Sequence, residues 1–192
     1  MCRHARYRPS HYRCHQLYRH AGTLHLTEPE KTEKGLTMLE ARALILNEIR
    51  YAQRLCQRTA RLYRHVQTFG TVVTVIGASA ALSALSSSFP GWVAIAGATL
   101  STIFGAVLLA VRPADKAAAN EVDAKRYAGL KAKAATLDDA ALQAALDEAR
   151  AADAVEFESL RNVAYNDVVL ELGQPGYLIP LRLHQKMLQA IA

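Results

Sequence analysis

Three groups of residues in this chain have types that could do chemistry. The first is a run of imidazoles and thiols near the N-terminus: His4, His11, His15, His20 and His25, with Cys2 and Cys14. A structural zinc takes four such ligands, with cysteines commonly paired two to four residues apart. Cys2 and Cys14 are not paired in that way, and the histidines follow no ligand rhythm. No metal is expected there. The second group is paired carboxylates, Asp138 with Asp139 and Asp147 with Glu148. Sequence neighbours on a helix point in different directions, so these pairs do not converge on one substrate atom and read as solvated surface. The third is the serines at 79, 83 and 86–88. A serine nucleophile needs a base, and no histidine or carboxylate shares that stretch. The sequence has no glycine-rich phosphate loop, HExxH or GxSxG. His184 has no nearby partner in sequence and reads as ordinary surface. The expectation is a chain with no catalytic residues and no cofactor.

The stronger signals are basic and apolar. Arg42, Arg50, Arg54, Arg58, Arg61 and Arg64 recur along residues 38–68, and residues 65–111 then hold no Lys, Arg, Asp or Glu. Each crossing of about 30 Å of hydrocarbon needs roughly 20 apolar residues at about 1.5 Å per residue. A run of this length fits two crossings. Ser86, Ser87, Ser88, Phe89, Pro90 and Gly91 interrupt it near the middle, and a serine run before Pro-Gly is a turn signal. The expected transmembrane helices are residues 69–87 and 92–111, with Phe89 and Trp92 at the membrane–water interface. The competing reading is a buried hairpin inside a soluble helical protein. Arg50, Arg54, Arg58, Arg61 and Arg64 precede the first span, and Arg112 and Lys116 follow the second, whereas the turn is uncharged. The positive-inside bias puts both termini in the cytoplasm.

The charge is unevenly placed. Residues 1–37 carry seven basic and three acidic groups, residues 38–68 six and two, and residues 112–192 ten and twelve, within a net charge of +6. The basic excess lies beside the apolar run and at the N-terminus. This favours an anionic lipid bilayer over sequence-specific nucleic acid. With Cys56, the cysteines are too few and too scattered for a disulfide framework. Residues 1–37 show no helical or strand period and no apolar signal-peptide core, so they read as a disordered basic segment. Two further readings are a tail touching lipid or RNA, and a start-site artefact. In the latter, purine-rich codons for Glu33, Lys34 and Gly35 act as a ribosome-binding site and the true start is Met38.

From Met38 the period is helical. Leu39, Ile45, Ile49, Ala52, Cys56, Tyr63 and Val66 make one stripe and the arginines another. The arginine stripe is either a lipid-facing, solvated face or a surface for an acidic ligand or for the acidic C-terminal part of the chain. The cytosolic helices are expected at residues 38–68, 114–135, 137–172 and 181–191. Pro113 suits a first helical turn. Val122, Tyr127 and Leu130 give the helix after it a thin apolar face. Thr136 to Asp139 fits a capping box led by the threonine. Gly173 closes the helix before it, with Pro175 two residues on. The tail helix is short and amphipathic. Within the spans, Gly97, Ser101 and Gly105 recur every four residues, and Gly77 and Ala81 offer small surfaces on the first span. Small residues at this spacing let backbones approach, either inside one hairpin or between subunits.

The order of a basic helix, two spans with a Pro-bearing turn, and then RPADKAAANEVDAKRYAGLKAKA resembles the SLATT domains. Arg112, Pro113, Asp115 and Lys116 after the second span carry the likeness. So do the Lys125-Arg126-Tyr127 group and the Ala164-Tyr165-Asn166-Asp167 segment. The resemblance covers residues 38–172. It implies an all-α membrane protein, a two-helix transmembrane hairpin continuing into a cytosolic helical bundle. It also implies a membrane-embedded effector that oligomerises and permeabilises the bacterial inner membrane in an antiviral, abortive-infection response. A nucleotide-signalling sensor or cyclase is the implied partner, together with a homo-oligomer. The alternatives are a non-conducting anchor that recruits a cytosolic partner, and a holin-like phage protein. A switch is expected in the pairing of the Arg42–Arg64 helix with the acidic residues 138–158, which include Asp147, Glu148, Asp153, Glu156 and Glu158.

Overall fold

A computed structural model of the chain describes residues 30–85, 90–154 and 157–192, with side chains described in 40–83, 90–154 and 157–192. The described residues are helical, and no strand occurs among them. The packed unit is Glu40–Ala192.

Helix α1, Glu30–Leu85, runs without a break through 56 residues, a length of about 84 Å. A bilayer core of about 30 Å takes only a third of it. The described part of this helix starts at Glu30 and so already includes residues 30–37, ahead of the expected start at Met38. The histidines and the two cysteines of residues 1–25 lie outside the described residues, as does the turn at 86–89.

Helix α2, Gly91–Val111, follows Pro90. It ends at Arg112, whose N–H still makes the helical bond to Leu108 O at 3.0 Å and whose own backbone then turns left-handed (φ 49°, ψ 56°). Helix α3, Pro113–Lys133, starts at once with proline in its first turn. Helices α1 and α2 are both long and apolar enough to cross a membrane.

The helical run expected over residues 137–172 is divided. Helix α4 is Asp139–Ala151 and helix α5 is Arg161–Glu171, preceded by a single 3-10 turn, Glu158–Leu160. The break has a polar cause. Asp123 on α3 accepts the Ala154 N–H at 2.9 Å, and Asp153 accepts the Tyr127 hydroxyl. These bonds give the chain after Ala151 partners that a continuing helix would have replaced. The cap also differs from the capping box expected at Thr136. Asp138 is the N-cap, accepting the Ala141 N–H at 2.7 Å, while the Thr136 hydroxyl donates to Lys133 O at the end of α3. Helix α5 closes as the sequence indicates. Gly173 is left-handed (φ 69°), Gln174 N–H bonds Val169 O and Gly173 N–H bonds Leu170 O, a Schellman closure. Helix α6, Leu183–Ile191, is the last element.

Helix α1 is the axis of the core. Ile45, Ile49, Ala52 and Cys56 form one buried cluster with Ala124 and Tyr127 of α3 and Leu142, Leu146 and Ala149 of α4. Leu55 and Leu62 form a second with Leu160, Val163, Ala164 and Ala192, flanked by Tyr51, Leu181 and Leu188. The sequence period shows the first face and hides the second, because Leu55 and Leu62 fall among the arginines. On α3 the expected face is met in part: Tyr127 is buried and Leu130 packs on the core, whereas Val122 is exposed and Ala117, Asn120 and Ala124 face inward. Alanines there let α3 lie close to α1, and Asn120 satisfies its amide on Lys116 O at 2.8 Å.

Candidate functional site

The expected site residues fall into three places: the span hairpin, the arginine ladder below it, and the polar supports of the bundle. In the hairpin, α1 and α2 cross at glycine. A methyl built on Gly77 would stand 2.7 Å from Gly97 O, and one on Gly97 2.5 Å from Gly77 O. Ser101 meets Gly77, and Ala80 and Ala81 meet Gly97. Gly70 lies under Leu108, and the Phe69 and Phe104 rings meet edge to face at 6.0 Å. Gly77, Ala81, Gly97 and Ser101 therefore pack the hairpin against itself. Gly105 does not join them, since a methyl there would meet nothing within 4 Å.

The outward faces of both helices are apolar. Val72, Val75, Ile76 and Leu82 of α1 and Ile95, Leu100, Ile103 and Leu109 of α2 are all exposed. In water such a surface would be costly, and in hydrocarbon it is favourable. Several hydroxyls in the hairpin donate within their own helix. Ser83 donates to Ser79 O at 2.8 Å, Thr99 to Ile95 O at 2.7 Å and Thr102 to Ala98 O at 2.8 Å. A serine or threonine bonded this way can face lipid without an unpaired polar group.

Below the hairpin, the arginines of α1 meet acids of the later helices. Arg58 forks onto Asp167, Nε to Oδ2 at 2.8 Å and Nη2 to Oδ1 at 3.0 Å, and its Nη1 donates to Gln189 O at 3.2 Å. Arg54 donates to Glu171 at 2.9 Å through Nη2. The Glu171 carboxyl is held below the usual carboxylate range, chiefly by that hydrogen bond. Arg64 pairs with Glu121 of α3, and Arg42 with Asp139 of α4. Arg50 donates to Asn47 at 3.1 Å and leaves its Nε buried without a partner. Arg61 is exposed beside a hollow of about 420 Å³ that Arg54, Arg58, Asp167 and Glu171 also line. Arg112 is exposed at the joint of α2 and α3. Of the two readings of the arginine stripe, the geometry therefore favours a surface for acidic groups of the same chain.

The acids used are largely not those expected. Apart from Asp139, the segment 138–158 gives the α1 arginines no partner among the described residues. Asp147 accepts from Gln143 and pairs with Arg150 on its own helix. Arg150 reaches back to Glu48 at 2.8 Å, a pair of reversed polarity. Asp153 is engaged by Tyr127, Glu158 is exposed, and residue 156 is outside the described residues. Asp167 and Glu171 share a spacing with their partners. They stand four apart on one helix, as Arg54 and Arg58 do on another, and antiparallel packing matches the two spacings.

The residues that carried the family resemblance are mostly supports. Pro113 is buried at the start of α3, Asp115 lies in its first exposed turn, and the Lys116 ammonium sits 5.5 Å from the centre of the Tyr63 ring. Tyr127 is fully buried, and burial, with the charged Asp153 it donates to, pushes its hydroxyl pKa well up. Burial also raises the Asp153 carboxyl, against the lowering effect of the Tyr127 hydrogen bond, and Asp123 raises it further. Asn166 is buried and clamps the connector after α5, donating to Ile179 O at 2.8 Å and accepting its N–H at 2.9 Å. Tyr165, beside it, is half-buried. Among the described residues no group of histidine, cysteine and carboxylate side chains could hold a metal ion. No family model matches the chain, and no curated protein or solved structure matches it.

Proposed function

We propose that the chain is a membrane-embedded, non-enzymatic effector. Its α1–α2 hairpin spans the bacterial inner membrane with both termini in the cytoplasm, assembles with further copies and permeabilises the bilayer in an antiviral response. The observation that carries the membrane part is the hairpin surface. Large aliphatic side chains of both helices are exposed on the sides that α1 and α2 do not use on each other, and the Ser83, Thr99 and Thr102 hydroxyls donate within their own helix. The resemblance to SLATT domains supports the permeabilising part, together with a nucleotide-signalling sensor or cyclase as partner and anionic lipid as surroundings. Assembly has a physical opening at Gly105, whose face of α2 the hairpin leaves free. A non-conducting anchor is favoured by one observation: the Gly77–Gly97 crossing completes the hairpin without a second copy.

Reconstitution separates the two readings. Purified chain in anionic vesicles should release an entrapped dye, and Gly105→Leu should reduce that release while leaving insertion unchanged. Membrane potential in induced cells, followed with a voltage-sensitive dye, should show depolarisation for the unaltered chain only. Inserted protein that neither releases dye nor depolarises cells leaves the anchor reading standing.

A further inference from the structure

Helix α6 is apolar on two opposite sides. Leu188 and Ala192 face the core, with Gln185 also buried. Leu183, Met187 and Ile191, at four-residue spacing, face away from it and are 78%, 60% and 47% exposed. No acidic residue lies on α6, while Arg182 and Lys186 flank the outer stripe. This is the pattern of a helix that lies in a membrane interface, with apolar side chains among the acyl chains and cations at the phosphates.

The position of α6 agrees with that pattern. Arg54 meets Glu171 and Arg58 meets Asp167, so α5 runs antiparallel to α1. The N-terminal end of α5 and the turn Glu158–Leu160 therefore lie at the end of the bundle nearer the apolar hairpin. Helix α6 packs on that turn and on α5. Its Gln189 carbonyl accepts from Arg58, and Ala192 shares a buried cluster with Leu62. From Leu62 to Phe69, where the apolar face of α1 begins, is a rise of about 10 Å. That distance is a few ångströms more than the roughly 5–8 Å headgroup layer on one side of a bilayer.

We propose that α6 lies in the headgroup layer of an anionic leaflet, with Leu183, Met187 and Ile191 inserted and Arg182 and Lys186 on lipid phosphates. The proposal rests on the reading that α1 and α2 span the membrane. It adds a second, peripheral attachment made by the last helix of the chain. An anionic leaflet is favoured over a protein partner by the cationic flanks, the absence of acids on α6 and the adjacent spans.

Trp92 is the chain's one tryptophan, so the full chain carrying Trp92→Phe and Met187→Trp reports on position 187 alone. In phosphatidylcholine–phosphatidylglycerol vesicles its emission should shift to the blue. It should be lost to lipids brominated near the headgroup more than to lipids brominated near the chain end. Leu183→Trp in the same background gives an independent second position, and Lys186→Glu should reduce the quenching at both. Emission at the aqueous wavelength, quenched by iodide and not by bromine, overturns the proposal. Blue-shifted emission without bromine quenching places a second copy or another protein on this face and overturns it too. The unaltered chain is the control. Bromolipid quenching of Trp92 shows the hairpin inserted, so a negative result at 187 then counts against α6 alone. Absence of quenching at Trp92 overturns the spanning reading and the α6 proposal with it.

Discussion

The Tyr127 hydroxyl donates to Asp153 Oδ2, and the other carboxyl oxygen, Oδ1, is buried without a partner. Tyr127→Phe should therefore cost about 1–3 kcal/mol, since it leaves a buried carboxylate with one fewer donor. Chemical denaturation in detergent would measure it. Asp153 titrates in the opposite sense to a salt-bridged acid. Its folded pKa is raised above the ordinary 3.8, so the folded state keeps the proton to higher pH than the unfolded chain does. Stability from this group is present at low pH and is lost as pH rises through the raised value. Asp153→Asn should remove that slope and leave neutral-pH stability unchanged or higher, and unfolding midpoints across the acid range check it. A steeper slope in the Asn variant would contradict the assignment. Glu171, held down by Arg54, works the other way: its smaller, solvent-screened contribution is lost as pH falls through its lowered value. At this scale the sequence was legible in type and not in role. Tyr127 and Asn166 stand out as motif residues, but their partners, Asp153 and the backbone of Ile179, are fixed only by folding.

The helices themselves were largely legible, because a 3.6-residue period and an uncharged run are local signals. The division of residues 137–172 was not, because its cause is Asp123, on a different helix. Neither was the second buried face of α1, since long arginine stems cover apolar neighbours while their charged ends reach acids. The glycines show the same limit: a four-residue spacing groups Gly97 with Gly105, and only packing separates them. Gly97→Ala should weaken the hairpin by about 1–3 kcal/mol through the clash with Gly77 O. Gly105→Ala should be neutral in the same assay. Thermal unfolding in micelles decides between them, and equal effects at the two positions would refute the crossing. Arg112 makes a separate prediction. A left-handed backbone is costly for a residue with a side chain, so Arg112→Gly should stabilise the joint by about 0.5–1 kcal/mol, and Arg112→Val should destabilise it.

Across the whole molecule, the net positive α1 and the net negative C-terminal part meet as ion pairs on several helices. The charge imbalance was legible in the sequence, and the choice of partners was not, because Asp167 and Glu171 are brought to α1 by the fold. The Arg58–Asp167 fork is the least exposed of these pairs, at 19% and 18%. Arg58→Ala or Asp167→Ala should each cost about 1–3 kcal/mol. The double variant should cost less than the two added together, and a double-mutant cycle on the purified chain measures the coupling. Additive losses would mean the fork contributes nothing beyond packing. The two legs of the hairpin are also mechanically unequal. Helix α1 passes from the bundle to the far end of the first leg with no joint, whereas the second leg meets α3 through the single left-handed residue Arg112. A torque on the bundle therefore reaches the first leg as through a lever, while the second leg can absorb it at one backbone hinge.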